Sequence, residues 1–149
     1  INNKHLTLRT SVVGPELKSN GEELFNWFMN QTGSISGFTK AIWSGVTTLE
    51  IAKAVKWSID NEITGLYHVT NNQPISKNDL LKLFKKHTQK EINITPIDGY
   101  DVDKSFIDTR KLIDYEIPSY DHMIFDMVKL IKNNSSLYLH YKIGDSVEK

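Results

Sequence analysis

Two stretches of this 149-residue chain set a tyrosine four residues before a lysine: Tyr100 to Lys104 and Tyr138 to Lys142. On a helix, that spacing brings a phenol and an ammonium to one face, where they can act as an acid–base pair. Neither stretch favours that use. The first lies in "DGYDVDK", whose Gly and Asp residues make a poor helix. The second lies in a tail of ambiguous structure. Chance accounts for both matches in a chain with six tyrosines and many lysines. The five histidines are scattered, no H-E-x-x-H or paired-His spacing occurs, and there is no cysteine. A thiolate nucleophile and a sulfur-bound metal are therefore excluded, and no residue of the chain is assigned to catalysis or to a metal. None of the eight glycines falls into G-x-G-x-x-G, so the phosphate-cradling loop is missing too.

What remains is chemistry of position. Arg9 is one of two arginines and stands in the apolar run "LTLRTSVVGPEL". It reads either as an edge-strand arginine pairing with a carboxylate, or as an anion contact that shapes the strand end. Trp43-Ser44-Gly45 reads either as a loop with an aromatic plug, or as a ring wall for a sugar or base with a glycine allowing close approach.

The elements that must hold these residues follow from periodicity and capping. Residues 6–13 read as a strand that breaks at Gly14-Pro15. Residues 21–31 read as a short amphipathic helix, and "TGSISGF" after it as a Gly/Ser loop before Lys40. Thr47 to Glu50 fits a capping box, and Ile51, Val55 and Ile59 repeat behind it, predicting a helix over about 48–60. Residues 65–70 form a short strand. Ser76 to Asp79 is a second capping box, with Ile75 and Leu80 placed as a staple, and predicts a helix over about 77–88. Residues 91–98 alternate like a strand, and 99–118 are loop-rich, with Asp108 able to cap one turn through Leu112. Ser119 or Asp121 caps a last helix over about 120–133, whose stripe is Met123, Ile124, Met127, Leu130 and Ile131. The tail, 135–149, alternates through Leu137, Leu139, Tyr141 and Ile143, which predicts either an added strand or disorder.

Length and an apolar fraction of 39% suit one domain with a real core. Balanced charge, 18 basic and 18 acidic residues, argues against a duplex nucleic-acid partner and a polybasic membrane anchor. No apolar run is long enough to span a bilayer, and no signal peptide is visible. A cytoplasmic protein is the expectation.

In order, the strand "LTLRTSVVGPEL", a helix, the Gly-rich loop, "AIWSGVTTLEIAKAV", "GLYHVTNNQPISKNDLLKLF" and "PSYDHMIFDMV" resemble the C-terminal part of an extended short-chain dehydrogenase/reductase. The closest similarity is to sugar-nucleotide reductases of the dTDP-4-dehydrorhamnose reductase type, over about residues 5–132. In that family an "LRTS" strand follows the helix bearing the catalytic Tyr-x-x-x-Lys, and "WSGVTT" resembles the segment lining the nucleotide-sugar pocket. One departure stands out: those reductases carry a tryptophan after "RTS", where this chain has Val12.

The resemblance implies an α/β fragment of a Rossmann-like fold without the N-terminal cofactor-binding part, built of about four helices and three or four short strands. Residues 1–134 would form a substrate-binding domain with one or two strands of the cofactor sheet. The parent protein would use NAD(P)H to reduce a keto group on a nucleotide-activated sugar, in polysaccharide precursor biosynthesis. Epimerases and dehydratases of the same superfamily share these features, and a non-catalytic binding or assembly module is the reading from another class. Thr10, Ser11 and Val12 would lie against the cofactor. Arg9, Lys40, Trp43, Ser44, Gly45 and Arg110 would meet the nucleotide sugar. The cofactor loop and catalytic residues would lie upstream, so the chain alone is expected to bind no cofactor and to be inactive. Severed strands would leave open edges, which predicts self-association.

Overall fold

The computed structural model describes residues 4–108 and 114–144. Its organising feature is the first apolar run. This is two strands, not one: β1 (Leu6–Arg9) and β2 (Val12–Val13). The run changes neighbour at Thr10-Ser11. β1 pairs in parallel with Gly65–His68, and β2 pairs in parallel with Val46–Thr47. At the change, the Arg9 carbonyl accepts from the Val69 N–H and the Ser11 carbonyl accepts from the Val46 N–H, each at 2.9 Å. The carbonyls on either side of Thr10 are thus both satisfied where the partner switches.

In chain order the other elements are α1 (Leu24–Asn30), β3 (Ser34–Phe38), β4 (Ala41–Trp43), β5 (Val46–Thr47), α2 (Thr48–Asp60), β6 (Gly65–His68), β7 (Ile75–Ser76), α3 (Lys77–Thr88), β8 (Asn93–Ile97), β9 (Val102–Lys104) and α4 (Tyr120–Asn133). Among the described residues, four helices match the expectation and nine short strands exceed it. Beyond the β1·β6 and β2·β5 pairs, β3 pairs with β8, and β7-β4-β9 form a three-stranded sheet. Among the described residues β1 has β6 as its single neighbour, and its other edge is open.

Three helices begin where their caps place them. The hydroxyls of Thr47, Ser76 and Ser119 accept from the N–H groups of Glu50, Asp79 and His122 at 3.2, 3.0 and 3.3 Å. Each satisfies a donor that the first helical turn leaves unpaired. The predicted loop "TGSISGF" is different: Ser34–Phe38 is strand β3, in parallel register with β8. Its inward residues are Ile35 and Gly37. A side chain at Gly37 would collide with Asn78 of α3, so the glycine that reads as a loop signal is a packing requirement.

The face of α2 also differs. Ile51, Val55 and Ile59 repeat helically, yet Val55 is 41% and Ile59 69% exposed. Glu50, Ala54 and Ser58 are buried instead. Glu50 turns inward because Tyr115 donates to its carboxylate at 2.6 Å, and Ser58 donates to the Ala54 carbonyl. The main core lies elsewhere, between α1, α3 and α4. There Phe25 meets Phe84 edge to face at 5.1 Å, and Leu81, Met123, Ile124 and Met127 are essentially fully buried. The predicted tail strand does not form over residues 135–144. A 3-10 turn (Ser135–Leu137) leads to Tyr141, whose ring packs against Phe25 at 5.5 Å and whose hydroxyl accepts from the Glu16 N–H. Residues 145–149, and the turn expected through Leu112, lie outside the described residues. No helix among the described residues is long and apolar enough to cross a membrane.

Asp121 ties α4 to α3 by accepting from Lys86 at 2.6 Å and from His87 at 2.8 Å. Those hydrogen bonds, Lys86 first, hold its carboxyl below its ordinary value of 3.8. A depressed folded-state value adds stability that is complete above the ordinary value and is lost as pH falls through the folded one. Asp121→Asn should therefore melt below wild type near pH 6, with the gap narrowing as pH falls below the ordinary carboxyl value. Thermal melts across that range check it. Ser76→Ala should cost about 1 kcal/mol at every pH through the lost cap, measured by denaturant titration.

Candidate functional site

A cleft of about 330 Å³ opens beside the point where the first run changes neighbour. Ser11, Val12 and Val13 form one wall, and Ala41, Ile42 and Trp43 of β4 form another. Glu23 and Leu24 at the start of α1, Lys77 at the start of α3, and Tyr100 with Lys104 around β9 complete it. Trp43 and Lys104 are register partners at the ends of two parallel strands. Clefts at strand ends beside a switch in strand order are the usual binding places of open α/β sheets.

Trp43 is held there by its indole N–H, which donates to the Ser11 hydroxyl at 2.7 Å. The bond uses the ring's one polar group and fixes its plane, leaving apolar surface to the cleft. Tyr120 packs on the ring at 5.9 Å. Gly45 lets this corner close: a side chain there would collide with the Ser11 carbonyl and with the Trp43 ring. Tyr100 packs against Phe38 at 5.0 Å and is 55% exposed, so part of its ring is open to solvent.

Ser11, Val12 and Trp43 therefore converge on one cleft, and Val12 is 43% exposed there. The other expected site residues sit around it with different partners. Ser44 is fully buried; its hydroxyl donates to the Phe106 carbonyl and accepts from the Phe106 N–H, at 2.8 and 2.7 Å. Gly45 is buried, and its N–H points to the Tyr120 hydroxyl. Thr10 donates to the Val69 carbonyl at 2.8 Å. Lys40 is exposed and pairs with Asp98 at 3.1 Å, and that hydrogen bond raises its pKa. Arg9 ends β1, exposed, with no ion pair among the described residues. Arg110 lies outside the described residues.

The sequence reading missed Lys77, and it weighed Tyr100 and Lys104 as a helical pair when they are strand neighbours of the cleft. Lys77 carried a signal: a cation directly after a Ser cap opposes the helix dipole. Burial lowers its pKa. A second groove, about 520 Å³, runs past His68, Thr70 and Asn71 and contains none of the expected site residues. Among the described residues no cluster of His, Asp and Glu is arranged to hold a metal.

No protein-family model matches the sequence, and no curated protein matches it. Solved structures do. A dTDP-4-dehydrorhamnose reductase from Bacillus anthracis, in complex with NADP, aligns at a TM-score of 0.70 and 17% identity, over 86% of this chain and 49% of that one. A UDP-N-acetylglucosamine 4-epimerase from Methanobrevibacter ruminantium, in complex with UDP-N-acetylmuramic acid, aligns at 0.64 and 19%, over 87% and 46%. A dTDP-glucose 4,6-dehydratase from Bacillus anthracis, in complex with NAD, aligns at 0.59 and 12%, over 88% and 45%. The chain thus has the Rossmann-like α/β fold expected from its sequence, and spans just under half the length of each of these structures.

Gly45→Ala should destabilise the chain by about 1–3 kcal/mol through overpacking against the Ser11 backbone. Trp43→Phe, which keeps a ring and loses one neutral hydrogen bond, should cost about 1 kcal/mol. Denaturant midpoints of the two variants check the order.

Proposed function

We propose that this chain is the substrate-side portion of an NAD(P)H-dependent reductase acting on the keto group of a nucleotide-activated sugar, of the kind that supplies polysaccharide precursors. The observation that carries the reading is the convergence of Ser11, Val12 and Trp43 on one cleft. These are residues that the family resemblance sets beside cofactor and sugar, in a chain whose fold is shared with the reductase described above. Trp43 offers a fixed aromatic face to a sugar or base. Arg9, at the open end of β1, is free to meet substrate beside Thr10 and Val12. The resemblance assigns Lys40 and Arg110 to the nucleotide, and Ser44 and Gly45 act by holding the Trp43 corner in shape.

A nicotinamide cofactor, when bound, supplies the hydride for such a reduction. The fit of this chain to it is partial. Val12 gives it an apolar edge, while the Thr10 hydroxyl is spent on Val69 and the eight glycines form no phosphate-cradling pattern. The cofactor's cradle and the proton donor belong to the other half of the fold, and this chain supplies position and specificity. The open edge of β1 would then be covered by that half, or by self-association of the isolated chain.

Calorimetry with dTDP- and UDP-sugars, and separately with NADPH and NADH, tests the reading. The expected result is sugar-nucleotide binding that Trp43→Ala weakens about tenfold, a loss of roughly 1.4 kcal/mol, and no cofactor binding. Micromolar binding of NADPH or NADH by the isolated chain would overturn the division between the two halves.

A further inference from the structure

The first position of α3 is the wrong place for an unpaired cation. Unsatisfied N–H groups and the helix dipole make that end positive, and acids are its favourable occupants. Lys77 stands there, half-buried. Its Nζ lies 5.1 Å from the centre of the Trp27 ring and 5.5 Å from that of Phe38. Ring faces attract a cation, but they provide no oxygen acceptor for its three N–H groups. Lys90, also half-buried, donates to the Met29 carbonyl, and Lys53 and Lys86 hold carboxylates. Among the described residues Lys77 has neither kind of partner. Lys104, from the opposite side of the same cleft, has none either, and Glu23, the one carboxylate in the lining, forms no ion pair with them. Burying an ammonium without a counter-charge costs free energy. Half-buried Lys77, exposed Lys104 across the cleft, a positive helix end and the rings of Trp43 and Tyr100 make a surface that an anion completes.

We propose that Lys77, with Lys104, binds the anionic portion of the cleft's ligand, a diphosphate ester whose attached ring lies against Trp43 and Tyr100. The diphosphate rests on the nucleotide-sugar reading; the need for an anion between the two lysines does not.

The test uses the full chain, with inorganic pyrophosphate, dTDP and UDP as probes in calorimetry. Lys77→Met keeps the stem and removes the charge. It should weaken both pyrophosphate and nucleotide binding by about tenfold or more, the worth of one charged hydrogen bond, and flatten the salt dependence of binding. Lys77→Arg should retain most of the affinity. Lys85→Met, an equal charge loss on the exposed face of the same helix, should change nothing. Lys77→Met should melt at or above the wild-type temperature, because it deletes a desolvated charge. Lys104→Met, at an exposed strand end, gives a second reading free of any packing change. Equal affinity of wild type and both Met variants for the nucleotides would overturn the inference and leave the nucleotide-sugar reading standing. Lys77-dependent pyrophosphate binding with no gain from the nucleoside would support the anion site and overturn that reading. Failure of wild type to bind any probe would overturn the inference.

Discussion

The structure depends on a single change of partner. One extended run of eight residues has to satisfy two different parallel neighbours, and its two central residues do the work of transfer. The Ser11 carbonyl accepts from Val46, the Ser11 hydroxyl accepts from Trp43, and the Thr10 hydroxyl ties the run back to Val69. The carbonyls of Arg9 and Ser11 and both junction hydroxyls are occupied, as a change of partner in a half-buried run requires. Because β5 must come close enough to bond Ser11, residue 45 has no room for a side chain. The same closeness stands Trp43 upright at the cleft. Site and fold are therefore one construction here.

Around that junction the chain uses polar groups where apolar ones would be expected. α2 buries Glu50 and Ser58 and turns Val55 and Ile59 outward. The buried carboxylate is tolerable because Tyr115 donates to it at 2.6 Å and Lys53 lies 3.7 Å away. In return, burial and then the Glu50 carboxylate push the Tyr115 phenol up from its ordinary range. The link fastens the segment before α4 to α2.

The cleft holds two lysines that form no ion pair among the described residues. Several lysines outside it meet carboxylates within the same helix or across a helix pair, as Lys56 meets Asp60 and Lys86 meets Asp121. Within the cleft, Glu23 is the one carboxylate in the lining and pairs with neither lysine, and the Lys77 ammonium lies over the Trp27 and Phe38 rings. A chain of zero net charge that leaves two cations uncompensated in one concavity keeps its charge balance globally and gives it up locally, where a ligand would gain from it.

The sequence by itself determined what depends on near neighbours in the chain. Thr47, Ser76 and Ser119 each cap a helix through a residue three positions on, so the starts of α2 and α3 were legible, and that of α4 was narrowed to Ser119 or Asp121. The stripe of α4 and the β1·β6 segments were legible for the same reason. Tertiary structure decided what depends on distant partners. β3 reads as a loop because Gly and Ser dominate it, and becomes a strand only through pairing with β8. Which face of α2 is buried was settled by Tyr115 and by the fit of small residues, against the pattern of its apolar side chains. Ser44 looks available in the sequence, but the backbone of Phe106 takes its hydroxyl. Lys77 looks like one more surface lysine, and only the packing of Trp27, Phe38 and β9 around it shows a charge left without a partner. Caps and periodicity are local physics written in adjacent letters; partner choice, burial and the sharing of hydrogen bonds are settled only when remote segments compete for the same groups.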